Sequence, residues 1–566
     1  MPTWRGASRA YTAVRSTPSS RHSIPSLAPW VSFTDSSNIQ DIDSNTTQMK
    51  KLLTLCAALV CAIGATATDY KGSLAVVLNG TPASRQQATI EVVRQADNKF
   101  ELKLADFIMP NGADNLYVGT IDMKNVDAVE SNGETVLSAT QQITIAPGSD
   151  PDQMWLGPAL SNPPITVKLK ASLKGDVLRA TIHIPFATMG LDIDVLFNST
   201  VLQIPNSGFE DFHIEKSGSK SGYEPNHWHS FLSATGMYAP SQNALSDIHT
   251  SVSKDVRPGT VGKTSILVKA TSVFGIVANG TITTGRMNAG DFSATSPLNH
   301  AFLDLTNADK DGHGDPFYTR LAGRPDSLGV WVKFRQAVAQ PDDPHASLNA
   351  VITDGTRYQD PQDKEYDNIV AKATDTLITS QNEWVRLSIP FDYATYEANR
   401  AEARAILVTM STNAHPGKGS AGDEFYIDDL ELVYLPKVSG IRVFGNEVQN
   451  FDPAVSDYDI RVPEEPTADV VVPTAPGYTT ATFVNKAART ISLVAYGQDL
   501  QRHTVYTLKY TIDPTVTNGI DSATAGGHDQ VVAVYNINGQ KVSAMQPGQL
   551  YIIRYADGTT VKVMGK

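Results

Sequence analysis

The chain has 566 residues, with 46 lysines and arginines against 59 aspartates and glutamates, so its net charge is −13 at pH 7. An acidic surface repels phosphate backbones and anionic lipids, which argues against nucleic acid or an anionic membrane as a partner. Only two cysteines are present, too few for a disulfide framework. A chain of this length exceeds what one hydrophobic core supports, so we expect three or four domains.

Residues 49–67 show the three parts of a bacterial secretory signal peptide. Met49 precedes two lysines, an apolar run of about a dozen residues and the small-x-small cleavage site Ala65-Thr66-Ala67. A single membrane anchor is the alternative, but a spanning helix needs about 20 apolar residues. Because a signal peptide is read from a free N-terminus, we expect Met49 to be the initiator and residues 1–48 to be a non-native or disordered leader. We therefore predict export through the periplasm, to the outer cell surface or the medium.

Cleavage after residue 67 would change the composition of the chain. Cys56 and Cys61 both lie in the signal segment, so thiol catalysis and cysteine metal sites are excluded in the mature protein. The removed part carries 6 basic and 3 acidic residues, which leaves 40 and 56 and a net charge of −16. Neither cysteine follows the small residues of a lipoprotein signal, so we expect no lipid anchor and no membrane span after cleavage.

Alternation of apolar and polar residues, β-branched residues and Gly, Asn and Asp turns dominate the mature chain. This pattern is typical of sandwiches and barrels and predicts an all-β, multidomain protein. Residues 393–404 alone read as a short helix.

The first predicted domain covers residues 69–199. In residues 99–104, Phe100, Leu102 and Leu104 alternate with charged residues, so these three should face inward. Short strands about 8–15 residues apart predict an up-and-down barrel. The segments 70–74 and 190–195 resemble the calycin-like, lipocalin-related domains of exported Bacteroides-type proteins. That resemblance implies a barrel that can hold a small ligand, and a spacer barrel filled with side chains is the alternative.

The second predicted domain covers residues 201–435. Its opening Asn206-Ser207-Gly208-Phe209-Glu210 and its closing Ile427-Asp428-Asp429 look like the paired first and last strands of carbohydrate-binding jelly rolls. The series also resembles the family named Putative carbohydrate metabolism domain, a Bacteroides-type extracellular module, through residues 225–228, 323–328, 331–334 and 384–393. The resemblance implies a jelly-roll β-sandwich that acts on or binds carbohydrate.

Two smaller units follow. Residues 436–513, with Phe451-Asp452-Pro453 and a final Tyr506-Thr507-Leu508, are similar to cadherin-like or immunoglobulin-like sandwiches, which space or present other domains. Residues 518–566 carry Asn-Gly, Pro-Gly and Asp-Gly turns between short strands, which predicts a small hairpin sheet. This tail resembles the C-terminal sorting domain of the type IX secretion system, which implies secretion machinery as a partner.

Sugar recognition needs flat apolar faces beside fixed polar groups. Trp331 and Lys333 share one side of a predicted strand, and Trp384 and Arg386 share one side of another. We add Tyr358, which lies in a predicted loop, and Trp228, which stands between two histidines. The alternative for each tryptophan is that it covers the edge of the core.

Structural calcium is the expected cofactor, and two places could hold it. Glu210 near the first strand of the jelly roll and Asp428 in its last strand could supply hard oxygen ligands, as the jelly-roll resemblance implies. The alternative loop has oxygen side chains at positions 1, 3, 5 and 9 and glycine at position 6, as calcium loops do: Asn307, Asp309, Asp311 and Asp315. Position 12 is Tyr318, where such loops carry glutamate.

Catalysis has weaker support in the sequence. Many carboxylates could form a glycosidase pair, none is singled out by spacing, and no nucleophile elbow, His-Glu-x-x-His or phosphate loop is present. The predicted function is therefore non-catalytic recognition of a glycan or polysaccharide by the jelly roll. The alternatives are a glycoside hydrolase that acts on a polysaccharide and a surface adhesin or structural spacer.

Overall fold

The structure is a computed structural model, and it describes twelve stretches of the chain. These are residues 66–111, 114–131, 133–186, 190–239, 247–379, 383–475, 479–516, 531–537, 540–542, 545, 549–555 and 560–564. The predicted leader and nearly all of the predicted signal segment lie outside them. Within these stretches strands dominate, with one four-residue α-helix, α1 (Gly157–Leu160), and 3₁₀ turns at Ala96–Asn98, Ala394–Asn399 and Ala468–Val470. In these stretches no helix is long and apolar enough to cross a membrane.

Eight antiparallel strands close a barrel, because the first strand pairs with the eighth as well as with the second. The strands are β1 (Thr66–Leu78), β2 (Thr81–Arg94), β3 (Phe100–Asn111), β4 (Asp114–Ser131), β5 (Glu134–Ile143), β6 (Ile165–Lys174), β7 (Val177–Phe186) and β8 (Leu191–Asn198). The predicted up-and-down barrel is confirmed, and Phe100, Leu102 and Leu104 are buried as their alternation predicts. Between Ile90 and Leu169 the barrel leaves a cavity of about 10 Å³, at most enough for one water molecule. Side chains therefore fill this interior.

The middle of the chain begins with a hairpin of β9 (Phe212–Ser217) and β10 (Lys220–Pro225). Fifteen further strands follow it: β11 (Thr250–Ser253), β12 (Ser265–Lys269), β13 (Thr271–Val273), β14 (Ile276–Ala278), β15 (Thr281–Thr283), β16 (Arg286–Ala289), β17 (Asn299–Phe302), β18 (Thr319–Arg320), β19 (Ser327–Arg335), β20 (His345–Thr353), β21 (Gln359–Asp360), β22 (Ile369–Thr379), β23 (Val385–Pro390), β24 (Ala405–Ser411) and β25 (Glu424–Val433).

Two facing sheets organise these strands. Sheet A has the order β11-β12-β25-β19-β23, and sheet B has the order β15-β24-β20-β22. Apart from β11 and β18, the two sheets contain eight strands: β12, β15, β19, β20, β22, β23, β24 and β25. Numbered one to eight in chain order, these strands lie in the order 1-8-3-6 in sheet A and 2-7-4-5 in sheet B. This order is that of a jelly roll, as predicted.

The core of the jelly roll comes from alternate residues of the two sheets. In β20, Leu348, Ala350 and Ile352 are fully buried and share one apolar cluster with Val330 and Val332 of β19. Successive side chains of a strand point to opposite faces, so the residues between them on β20 lie on the outer side of sheet B.

A smaller sandwich and a terminal sheet follow the jelly roll. Their strands are β26 (Gly440–Val443), β27 (Asn446–Glu447), β28 (Asp457–Val462), β29 (Val471–Thr474), β30 (Thr480–Asn485), β31 (Thr490–Tyr496), β32 (His503–Ile512), β33 (Val531–Asn536), β34 (Lys541–Val542), β35 (Leu550–Tyr555) and β36 (Thr560–Met564). The sandwich packs the sheet β27-β26-β29 on the sheet β28-β32-β31-β30, around a core that includes Ile441, Leu493 and Leu508. The terminal sheet has the order β34-β33-β35-β36, and its predicted turns lie outside the described residues.

The predicted helix over residues 393–404 is wrong. A 3₁₀ turn, Ala394–Asn399, takes its place, and Arg400 ends the turn in the left-handed region with a φ of 51°. The next segment is extended, because the backbone N–H of Arg404 donates to the carbonyl of Thr353 at 2.9 Å on the way into β24.

Replacing Ile352 by alanine should destabilise the jelly roll. Ile352 is fully buried between the two sheets, and such truncations cost about 2–5 kcal/mol. Leu377→Ala is the matched control, since Leu377 of β22 is 68% exposed and its loss should change stability by no more than about 0.5 kcal/mol. Differential scanning calorimetry measures both variants, and equal melting temperatures would contradict the assigned core.

Candidate functional site

A cavity of about 610 Å³ lies on the outer face of sheet B. Its floor consists of two rows of polar side chains. Each row runs across the sheet and is made of residues that pair with one another on neighbouring strands. In one row Thr281 and Ser347 flank Ser411, and in the other Asn349 lies between neighbouring threonines of β24 and β22. The Thr281 hydroxyl donates to Ser411 Oγ at 3.3 Å. The floor is therefore made of two rows of short hydroxyl and amide groups on a rigid sheet.

Aromatic side chains form the wall and rim of the same cavity: Phe231, Tyr238, Phe274, Phe292 and His300. Phe274 is 77% exposed and Phe292 is 50% exposed. The rings of Tyr238 and Phe292 lie 6.4 Å apart. Apolar ring faces thus stand open to solvent directly beside the polar floor.

Phe274 occupies the tight turn between β13 and β14. Its φ is 52° and that of Gly275 is 80°, so both residues of the two-residue turn are left-handed. Asparagine, aspartate or glycine normally take the first position, because a bulky side chain is disfavoured there. Strained positions of this kind cluster at ligand contacts. The turn thus holds an exposed ring at the cavity despite a conformational cost.

Two carboxyl groups line the cavity, and their surroundings shift their pKa values in opposite directions. Burial raises the pKa of Asp360 above its usual value, although Asn349, Lys372 and Thr409 lower it in part. The pKa of Asp291 is lowered, chiefly because the backbone N–H of Ser293 donates to its carboxylate. Asp360 is therefore easier to protonate than an ordinary aspartate, and Asp291 stays ionised to lower pH.

Four of the predicted sugar-binding residues share the outer face of sheet A, as their alternation predicts, but the cavity is on the other sheet. Lys333 forms an ion pair with Asp255, and Trp384 donates its Nε1–H to the same carboxylate at 3.0 Å. Arg257 lies 5.5 Å from the ring of Trp331.

Arg386, the fourth of these residues, is held by Glu431 of β25 in the same sheet. It binds Glu431 at 2.6 Å, and Arg502 of the small sandwich binds the same carboxylate at 3.1 Å. Burial raises the pKa of Glu431, but the two guanidinium groups outweigh it and hold the pKa below its usual value. The face is thus already engaged in contacts within the chain.

The predictions for Tyr358 and Trp228 are wrong, because both side chains are fully buried. Tyr358 does not lie in a free loop, since its carbonyl accepts the N–H of Leu303 at 3.0 Å and its ring packs on Tyr366. Trp228 packs on Phe209 with ring centroids 5.1 Å apart and donates its Nε1–H to the carbonyl of Pro205.

The proposed calcium pair Glu210 and Asp428 has partners of its own. Glu210 Oε1 accepts the backbone N–H groups of Lys263 and Thr264 at 2.9 and 3.1 Å. Asp428 Oδ2 accepts the N–H of Arg257 at 3.0 Å. Within the described ranges neither carboxylate joins a group of three or more possible metal ligands. Calcium at this pair stays a prediction.

The side chains of the alternative calcium loop face different partners in the structure, and calcium at this loop stays a prediction. Asn307 donates to Asp304, and Asp311 is exposed. Asp315 lies between the rings of His227 and His313, at 2.9 and 3.0 Å. Asp309 points to His213, with Oδ2 3.3 Å from Nε2.

Sequence reasoning missed the residues of the cavity. The alternation in β20 and β24 was a usable signal, since Ser347 and Asn349 interleave with residues of the core. The Phe274-Gly275 pair was a second signal, because it combines a turn with an exposed aromatic ring. No spacing in the sequence indicates that Asp360 of β21 reaches the floor of sheet B.

Residues 66–200 match the family model of the calycin-like beta-barrel domain. The solved structure of a putative glycoside hydrolase from Bacteroides vulgatus ATCC 8482 is 18% identical with a TM-score of 0.28, over 41% of this chain and 98% of that chain. A putative glycoside hydrolase from Bacteroides thetaiotaomicron VPI-5482 is 14% identical with a TM-score of 0.27, over 45% of this chain and 78% of that chain. No curated protein matches the chain. At these scores the function must be argued from the geometry of this chain.

Asp428→Asn should stabilise the protein at neutral pH. Burial raises the pKa of the fully buried Asp428 to about 6, so the folded state binds this proton more tightly than the unfolded state. Wild-type stability is then lost as the pH rises from about 4 through 6, by roughly 2–3 kcal/mol from this group. Denaturant unfolding at pH 4 and pH 7.5 should show the variant's advantage only at the higher pH.

Asp429→Asn is the control for this measurement. Asp429 is paired with Arg257 at 2.6 Å, so its neutralisation should destabilise the protein at pH 7.5 by up to about 1 kcal/mol. Equal effects of the two substitutions would contradict the assignment to Asp428.

Proposed function

We propose that the protein is exported and binds a glycan, without cleaving it, in the cavity on sheet B. The sequence patterns of residues 49–67 and 518–566 support export and secretion to the cell exterior. One observation carries the binding proposal: a polar floor and an aromatic rim meet in a single cavity of about 610 Å³.

Sugar chemistry matches these two surfaces. A pyranose ring has an apolar face made of C–H groups and a polar edge made of hydroxyls. Exposed rings such as Phe274 suit the face, and serine, threonine and asparagine side chains can both donate to and accept from the hydroxyls. The volume lies in the usual range of small-molecule sites, about 300–1,000 Å³.

Phe274→Ala should weaken glycan binding by about two- to tenfold, because a stacked ring contributes about 0.5–1.5 kcal/mol and about 1.4 kcal/mol is a factor of ten in affinity. A glycan array first identifies the ligand, and isothermal titration calorimetry then compares the variants. Trp331→Ala is the matched control: it also removes a large aromatic ring, but from the outer face of sheet A, and should leave the affinity unchanged.

The result of this comparison separates the competing functions. Loss of binding in Trp331→Ala but not in Phe274→Ala would move the site to sheet A. If neither the array nor a sugar-release assay over a broad panel gave a signal, the spacer or adhesin function would be favoured instead.

A glycoside hydrolase is the second candidate, and the two cavity carboxyls favour it. Glycosidases pair a carboxylic acid of raised pKa with an ionised carboxylate, and environments that separate two pKa values identify such pairs. Asp360 would be the general acid and Asp291 the base or nucleophile.

A reducing-sugar assay on the glycan that the array identifies distinguishes the two functions. For a binding protein we expect no sugar release by the wild-type chain. A hydrolase would release sugar, and Asp360→Asn would then slow release by about 10²–10⁴-fold while binding persists, because a general acid contributes that factor. Asp291→Asn tests the second carboxyl in the same way.

A further inference from the structure

Four metal-ligating side chains converge on one point beside the β9–β10 hairpin. His213 and Glu215 are two residues apart on β9 and share a face, and Glu224 of β10 is the register partner of His213. Asp309 enters from the loop after β17. One ligand atom of each residue lies within 4.8 Å of the ligand atoms of the other three, and all three carboxylates are buried.

Two of these ligand atoms are buried and make no well-directed hydrogen bond in the described part of the chain, although one of them lies 3.3 Å from Asp309 Oδ2. These are Glu215 Oε2 and His213 Nε2, which lie 3.6 Å apart. Glu215 is only 2% exposed. A buried carboxylate oxygen without a partner is costly, so a cation between these atoms would remove a large penalty.

Neighbouring groups hold the ligands in the orientation that a metal ion requires. His213 Nδ1 lies 3.0 Å from Asn226 Oδ1, a contact that fixes the ring with Nε2 directed at the carboxylates of Glu215 and Asp309. Glu224 Oε1 accepts the N–H of Ser230 at 2.8 Å, and Oε2 accepts the hydroxyl of Ser233 at 2.9 Å. Such outer hydrogen bonds are typical of metal sites.

Gly312 closes the cluster from above. A Cβ atom built on Gly312 would lie 2.1 Å from Asp309 Oδ2, 2.2 Å from Glu215 Oε2 and 2.7 Å from His213 Nε2. No side chain fits at this position. The glycine therefore lets the backbone approach the three ligand atoms and leaves the space between those atoms free of side-chain carbon.

We propose that His213, Glu215, Glu224 and Asp309 bind one divalent first-row transition-metal ion, Zn²⁺ or Mn²⁺. Imidazole nitrogen favours these ions, and carboxylate oxygen accepts both. Ca²⁺ prefers six to eight oxygen ligands, and this set offers a nitrogen in place of one of them. The ion would tie the β9–β10 hairpin to the loop after β17. The proposal does not depend on glycan binding.

The competing arrangement is a metal-free ion pair, in which a protonated His213 neutralises one carboxylate. Full-length chain is stripped with a chelator and titrated separately with Zn²⁺, Mn²⁺ and Ca²⁺ by calorimetry, and bound metal is counted by mass spectrometry. We expect one Zn²⁺ or Mn²⁺ ion per chain at this site, weaker binding of Ca²⁺, and a higher melting temperature with metal, because the ion binds only the folded state.

Glu215→Gln should weaken binding at least tenfold and reduce the count by one ion. Asp311→Asn, an exposed position of the same loop, is the matched control and should bind as the wild type does. A second group in the barrel, His183 with Asp192 and Asp194, could take another ion, so His183→Gln is measured in parallel and should leave the count at this site unchanged.

Three results would overturn the proposal. The first is equal binding by Glu215→Gln and the wild type. The second is a wild-type chain that binds no ion and keeps its melting temperature, which would support the ion pair. The third is loss of the bound ion in His183→Gln alone. If Glu215→Gln does not fold by circular dichroism, His213→Gln replaces it, with the same expected loss.

Discussion

The structure depends on the alternation of side chains in the strands of sheet B. The same strands that place Leu348 and Ile352 in the core place Ser347 and Asn349 on the cavity floor. A shift of one residue in register would exchange the two sets, exposing the core and burying the polar row. Stability and the candidate site therefore rest on one constraint, and the hydrophobic pattern that folds the jelly roll also positions its polar floor.

The two sheets of the jelly roll are used differently. The outer face of sheet A carries aromatic and cationic residues in alternation, a pattern that resembles a binding surface. Its groups are occupied by contacts within the chain, most clearly where Arg386 and Arg502 share Glu431. The outer face of sheet B instead carries short polar side chains, and loops and small hairpins bring aromatic rings over them. The aromatic and cationic residues of sheet A thus make contacts within the chain. The surface that is open to a ligand is the outer face of sheet B, which carries short polar side chains.

Much of the fold follows from local patterns in the sequence, and the sites do not. Alternation predicts the barrel, with Phe100 and Leu102 inside. The jelly roll is also predicted, but its predicted first strand is wrong: residues 206–210 form no strand, and the last strand β25 pairs with β12 instead. Tyr358 is buried in an apolar cluster with Val351 and Leu407, and no local signal shows a contact between such distant segments. Likewise Asp309 contacts His213 only because the loop after β17 folds back on the β9–β10 hairpin. The spacing of Asp309 with Asn307 and Asp311 in the sequence instead predicts a calcium loop.

The hydrogen bonds of Glu224 connect the four-residue cluster beside the β9–β10 hairpin to the wall of the cavity. Ser230 and Ser233, which hold this carboxylate, stand on either side of Phe231, and Phe231 lines the cavity. The same short segment therefore belongs to the surroundings of both sites. A metal ion bound by Glu224 would therefore also restrain the segment that carries Phe231, and with it one part of the cavity wall.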